Sequence, residues 1–123
     1  MMFRLLIAVK SRALADMLMQ DLSSRFEVHC CGTGTGVSEL IEGLRPDALV
    51  MDLRLTKRTG FAVLESCSHK PPVIIALSEF IDDDVICRAK AAGIAVLIRI
   101  PCTAQCIVER LERLTVKTPS PEL

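Results

Sequence analysis

Five short apolar runs, each followed by a segment of helical periodicity, constrain most of what this chain can fold into. The third run is the cleanest. Ala48 to Met51 is unbroken and apolar, bounded by Pro46 on one side and Asp52 on the other. A run that is apolar at every position, not at alternate ones, suits a strand covered on both faces, as the centre of a parallel sheet is. It ends on a carboxylate. In open α/β sheets ligands lie beyond the carboxyl ends of the strands, so Asp52 stands where chemistry is usually placed. The plainer reading is that Asp52 only starts the turn that follows.

The other segments fall into order around it. Strands are expected at Arg4 to Val9, Glu27 to Cys31, Val73 to Leu77 and Ala95 to Ile100. Arg12 to Ser24 reads as a helix with Leu14, Met17, Leu18 and Leu22 on one stripe. Val37, Leu40, Ile41 and Leu44 repeat at helical spacing and close before Pro46. Gly60 to Ser66 is a third helix. Asp82, Asp83 and Asp84 suit the positive end of a fourth, which runs to Ala92 and stops at Gly93. Ala104 to Leu114 is a fifth, with Ile107, Val108 and Leu111 inward. Strands alternating with helices predict a parallel sheet wound on both faces through right-handed crossovers. Residues 1–115 make one domain. Residues 116–123 hold two prolines and no apolar period, and read as a linker or frayed end.

Composition excludes several classes. Half the residues are apolar, too many for a disordered chain. Fifteen basic and fifteen acidic residues leave no global basic footprint for nucleic acid. No apolar run approaches the roughly 18 residues of a membrane helix, and no signal-peptide pattern opens the chain. The six cysteines form no Cys-x-x-Cys pair, which suits reducing cytoplasm, with thiols packed as small hydrophobes. Cys102 and Cys106 share a helical spacing but have no histidine nearby, so no metal is expected there. The loop Gly32-Thr33-Gly34-Thr35-Gly36 follows the second strand, and its third glycine is one residue early for a dinucleotide fingerprint. His29 reads as strand-end packing and His69 as solvated. Met17 and Met19 read as helix filler. No Ser-His-Asp order is present.

The ordered motifs carry a resemblance. Arg45-Pro46-Asp47-Ala48-Leu49-Val50-Met51-Asp52 comes first, and Gly60 stands eight residues on. Val73 to Ser78 ends in a hydroxyl, Ala91-Ala92-Gly93-Ile94 leads into the fifth strand, and Pro101 follows it. Together they resemble the receiver domain of bacterial response regulators over roughly residues 3–115. The stretch Pro71 to Phe80 and the last helix look closest to the receiver of sporulation master regulators. The resemblance implies a flavodoxin-like (βα)₅ fold, a doubly wound parallel five-stranded sheet of order 2-1-3-4-5. It makes Asp52 the phosphoacceptor candidate and Ser78 the family's hydroxyl residue.

The rest of the reactive set departs from the family. Val9 and Lys10 stand where it has the two acids that hold Mg²⁺. Ile100 stands where it has a lysine, and Leu97 replaces its aromatic switch. Thr56 and Thr59 replace a proline and a second acid. Phosphoryl transfer to a carboxylate is mostly positioning and charge neutralisation, so these losses remove most of what drives it. The expectation is a degenerate receiver. It is not an enzyme and has no catalytic residue or cofactor, its Mg²⁺ site being lost. It acts as a signalling and interaction module of a cytoplasmic, phosphorelay-type transcriptional regulator. The pocket is expected around Asp52 from Val9, Lys10, Arg54, Ser78 and Ile100, with Lys10 pairing with Asp52 in place of the metal. Arg54, Lys57 and Arg99 could restore part of the lost charge, Arg99 poorly, because alternation points it to the face opposite residue 100. The expected partners are a histidine kinase or phosphotransferase and a second copy docked through residues 85–111. DNA is reached only through a separate domain, and no membrane is involved. Two alternatives stand: a conventional phosphoacceptor receiver using Asp52, and a small-ligand-binding flavodoxin-like protein using the glycine loop.

Overall fold

The computed structural model describes residues 3–31, 36–54 and 60–115. Among them β1 (Phe3–Ala8), α1 (Arg12–Leu22), β2 (Phe26–Cys30), α2 (Val37–Leu44) and β3 (Ala48–Asp52) form the first half. The second half is α3 (Gly60–Glu65), β4 (Val73–Ser78), α4 (Asp83–Ala92), β5 (Val96–Arg99) and α5 (Ala104–Thr115). The strands make one sheet in the order β2-β1-β3-β4-β5, every neighbouring pair parallel. This is the expected flavodoxin-like topology. The expected linker 116–123, most of the glycine loop, and Thr56, Lys57 and Thr59 lie outside the described residues.

Alternation along the strands builds two cores, one on each face. Leu5, Ile7, Ala48, Val50, Ile75 and Leu77 face α1 and α5, where Leu18, Leu22, Ile107 and Leu111 meet them. Leu6, Ala8, Leu49, Met51, Ile74 and Ala76 face the other way, onto Val37, Ile41, Leu64 and Ala89 of α2, α3 and α4. All five residues of β3 are buried, as its unbroken apolar run requires.

Element ends shift by a residue or two for local reasons. The fourth helix begins at Asp83, not Asp82, because Asp82 is its cap: the carboxylate accepts the Val85 N–H at 2.9 Å. Gly93 closes that helix in the left-handed region at φ 82°, which glycine enters without a Cβ penalty. Asp82→Ala is expected to lower stability by about 0.5–2 kcal/mol, the usual loss for an N-cap carboxylate. Urea unfolding would check this, and an unchanged midpoint would show that the cap is dispensable.

One side chain of the first helix departs from expectation. Met17 is 53% exposed. The inward stripe is Leu14, Ala15, Leu18 and Leu22, and Met17 lies round the helix from it. The cysteines also differ from the expected packing. Only Cys67 is buried, its Sγ donating to the Val63 carbonyl, while Cys30 and Cys87 are exposed. Burial pushes the Cys67 thiol above its usual range, and partial burial does the same for Cys102. His29 does not pack at the strand end; its Nε2 meets the Glu27 carboxylate at 2.8 Å on the surface. His69 is exposed, with Glu42 at 3.6 Å.

Candidate functional site

Asp52 closes β3 at the carboxyl edge of the sheet, in register with Leu77 of β4. It is 2% exposed, the most buried acidic residue described. A carboxylate at that depth must be paired or hydrogen-bonded. The partner is Arg54, two residues on. Its backbone N–H donates to Oδ1 at 2.8 Å, its Nε donates to the same oxygen at 3.1 Å, and its Nη2 donates to Oδ2 at 2.9 Å. The first bond is the short Asx-type turn that aspartate makes to its own chain. The other two are the parallel fork in which guanidinium matches carboxylate. Nη1 reaches outward to Glu79 Oε2 at 3.2 Å. Arg54 therefore bridges the end of β3 to the turn after β4. Hydrogen bonding to Asp52 raises the guanidinium above its usual value, and the charges of Asp52 and Glu79 add to this.

A cleft of about 270 Å³ opens beside this bridge. Leu14, Leu77, Ile100 and Cys102 give it apolar walls, and Asp52, Arg54 and Glu79 line one side. Of the expected pocket residues, Arg54 and Ile100 are thus brought to Asp52. Ser78 is not: its hydroxyl donates to the Phe80 carbonyl at 2.7 Å and accepts the Phe80 N–H at 3.3 Å. Val9 is buried among the residues facing α1 and α5. Val9 and Lys10 line a separate cleft of about 430 Å³, with Arg12, Asp16 and Cys30.

The expected Lys10–Asp52 pair is not formed. Lys10 is exposed and makes no ion pair or hydrogen bond among the described residues. The physical reason is proximity along the chain. Arg54 is already placed by the turn that binds its own N–H, so its side chain closes on Asp52 at little further entropic cost. Lys10 instead precedes Ser11, whose Oγ accepts the Leu14 N–H and turns the chain into α1.

Two members of the cleft escaped the sequence reading. Glu79 carried no signal, being one acid before an aspartate run. Cys102 was visible only as one of a cysteine pair. Burial raises its thiol, and the nearby Cys106 and Asp52 add to that.

The parallel sheet of order β2-β1-β3-β4-β5 with helices on both faces is the fold of the response-regulator receiver domains on which the chain superposes. The CheY-like receiver domain from Methanospirillum hungatei superposes with a TM-score of 0.82 at 20% identity, over 93% of this chain and 94% of that one. The non-phosphorylated HemR receiver domain from Leptospira biflexa gives 0.79 at 23% identity, over 94% and 97%. By sequence, the chain is similar to the transcriptional regulatory protein PdtaR of Mycobacterium tuberculosis. They are 30% identical over 101 residues, which is 80% of this chain and 48% of that protein. The chain thus spans about half the length of the curated relatives it matches. No family model matches it. Among the described residues no helix is long and apolar enough to cross a membrane.

Proposed function

We propose that the chain is an atypical receiver domain, a signalling and interaction module whose acceptor carboxylate is held by its own arginine. The observation that carries this reading is the Arg54 fork on both oxygens of buried Asp52. In a receiver those oxygens must face a Mg²⁺ ion and an incoming phosphoryl group. Mg²⁺ demands near-octahedral oxygen ligands. The residues present do not suit it: Val9 is a buried hydrocarbon, Lys10 is a cation, and Asp52 is spent on Arg54. Ile100 brings hydrocarbon to the cleft where the family's lysine would bring charge.

The domain then performs no chemistry of its own. It works in the cytoplasm, within a phosphorelay-type transcriptional regulator, by binding a histidine kinase, a phosphotransferase or a further domain. Contact with DNA is left to a separate domain. Incubation with acetyl phosphate and Mg²⁺, followed by intact-mass measurement, tests this. No phosphoryl adduct is expected, and an adduct abolished by Asp52→Asn would overturn the reading. The conventional alternative, phosphorylation at Asp52, draws support from one observation. The Arg54 side chain is 39% exposed, so it has solvent into which to withdraw.

Self-association belongs to the same reading, through α4, β5 and α5. Ile98 is in the core, and Leu97 and Ile100 pack inward on opposite faces of the sheet. The outward residues there include charges of both signs, among them Asp84, Lys90, Arg99, Glu109 and Arg110. A pair held by such exposed charges is weak and salt-sensitive. Sedimentation at high micromolar concentration is expected to show a dimer that phosphate does not change. Monomer alone would remove it.

A further inference from the structure

We propose that the cleft between α1 and the end of β2 binds a nucleoside monophosphate, its phosphoryl group on Lys10 and Arg12 and its base against Met19. The inference goes beyond the signalling role and does not rest on whether Asp52 accepts phosphate. Lys10 and Arg12 line this cleft of about 430 Å³ together with Ala15, Asp16, Met19 and Cys30. It shares no lining residue with the cleft at Asp52. Its volume falls in the range of about 300–1,000 Å³ usual for small-ligand sites. It opens just past the carboxyl end of β1, on the edge where open α/β sheets hold their ligands.

Charge placement at this cleft runs against the helix dipole. The N-terminus of a helix is its positive end and favours acids. α1 has no acid in its first turn and opens instead on Arg12, with Lys10 two residues before it. Among the described residues neither side chain makes an ion pair or hydrogen bond. Asp16 stands one turn from Arg12, at a spacing that permits a pair, yet none is formed. Two unpaired cations at a positive helix end are unfavourable alone, and a phosphoryl group between them removes the conflict. The rest of the cleft supplies more than charge. Arg12, Ala15, Asp16 and Met19 recur at i, i+3, i+4 and i+7, so they share one face of α1. That face runs about 10 Å along the helix. Its order of guanidinium, carboxylate and thioether matches phosphate, ribose and base. Asp16 can accept from ribose hydroxyls. Met19, 37% exposed, gives the base an adaptable apolar platform.

The test titrates the full chain with adenosine monophosphate in EDTA, so that neither Mg²⁺ nor phosphoryl transfer enters. Ribose 5-phosphate, adenosine and inorganic phosphate are the comparisons. Adenosine monophosphate is expected to saturate at millimolar concentration, with amide shifts centred on residues 9–19 and 30–31. Ribose 5-phosphate should bind more weakly, and adenosine and inorganic phosphate more weakly still. Lys10→Ala and Arg12→Ala should each weaken the nucleotide roughly fivefold or more. Both should keep the thermal midpoint of the free chain, because both side chains are exposed. Met19→Ala should weaken the nucleotide and spare ribose 5-phosphate. Asp16→Asn should weaken ribose 5-phosphate yet strengthen inorganic phosphate, by removing a like charge. Equal binding of the nucleotide and inorganic phosphate would reduce the site to a charged patch and overturn the proposal. So would shifts centred on Asp52, a titration that never saturates, or indifference to both cation variants. None of these readouts depends on whether Asp52 accepts phosphate, so the two readings fail separately.

Discussion

Arg54→Ala is expected to destabilise the domain by about 1–3 kcal/mol, the cost of leaving a buried carboxylate with most of its hydrogen bonds unmade. Asp52 would keep only the Arg54 backbone N–H, which the substitution does not touch. Asp52→Asn should cost less, because a neutral amide at the same depth needs no counter-charge. The combination should cost less than the sum, with coupling on the order of 0.5–3 kcal/mol. A double-mutant cycle in urea measures it. Lys10→Ala belongs in the same series and should stay within about 0.5 kcal/mol of the parent, as an exposed side chain without a partner does. Additive losses at 52 and 54, or a large loss at 10, would show that Arg54 is not the group that balances Asp52.

Gly60→Ala should cost a comparable amount, roughly 1–3 kcal/mol, by overpacking. Gly60 opens α3 and is buried, its N–H bound to the Leu53 carbonyl at 3.1 Å. A Cβ there would meet Leu53 Cδ2 at 2.8 Å, Leu53 Cα at 3.1 Å and Met51 Cε at 3.1 Å. The methyl ends of Leu53 and Met51 can rotate away. The Leu53 backbone cannot, because it follows directly on Asp52. The strain therefore falls on the turn that carries Arg54. Thermal unfolding of Gly60→Ala would read the loss, and a midpoint equal to the parent's would show that the turn yields freely.

The backbone plan was legible because its signals are local. An unbroken apolar run bounded by Pro46 and Asp52 can hardly be anything but a buried strand. Ile107, Val108 and Leu111 could face only one way. Position along the chain also brought Asp52 to the sheet's carboxyl edge. What did not follow was which cation turns toward it. Lys10 and Arg54 both leave strand ends near that edge, and sequence spacing does not record the direction of a long side chain. The deciding contact, the Arg54 N–H on Asp52, is a backbone turn. Its residues, Asp-Leu-Arg, are too ordinary to announce it. Glu79 was hidden for a related reason: its partner lies on another strand, and only the register of β3 with β4 brings them together. Met17 shares the helical spacing of Leu14 and Leu18, yet the helix places it round the side of their inward stripe.

The face of the sheet shared by α1 and α5 has a consequence for synthesis. Leu18 and Leu22 come from near the start of the chain, and Ile107 and Leu111 from near residue 110, yet all four seal one layer. Arg25, just after α1, pairs with Glu112 of α5 across the same seam. A nascent chain that has emerged only as far as β5 has all five strands but lacks the helix that covers half of one of its two oily layers. That layer cannot close until α5 leaves the ribosome. Until then the apolar faces of β1, β3 and β4 are open to chaperones and to other nascent chains.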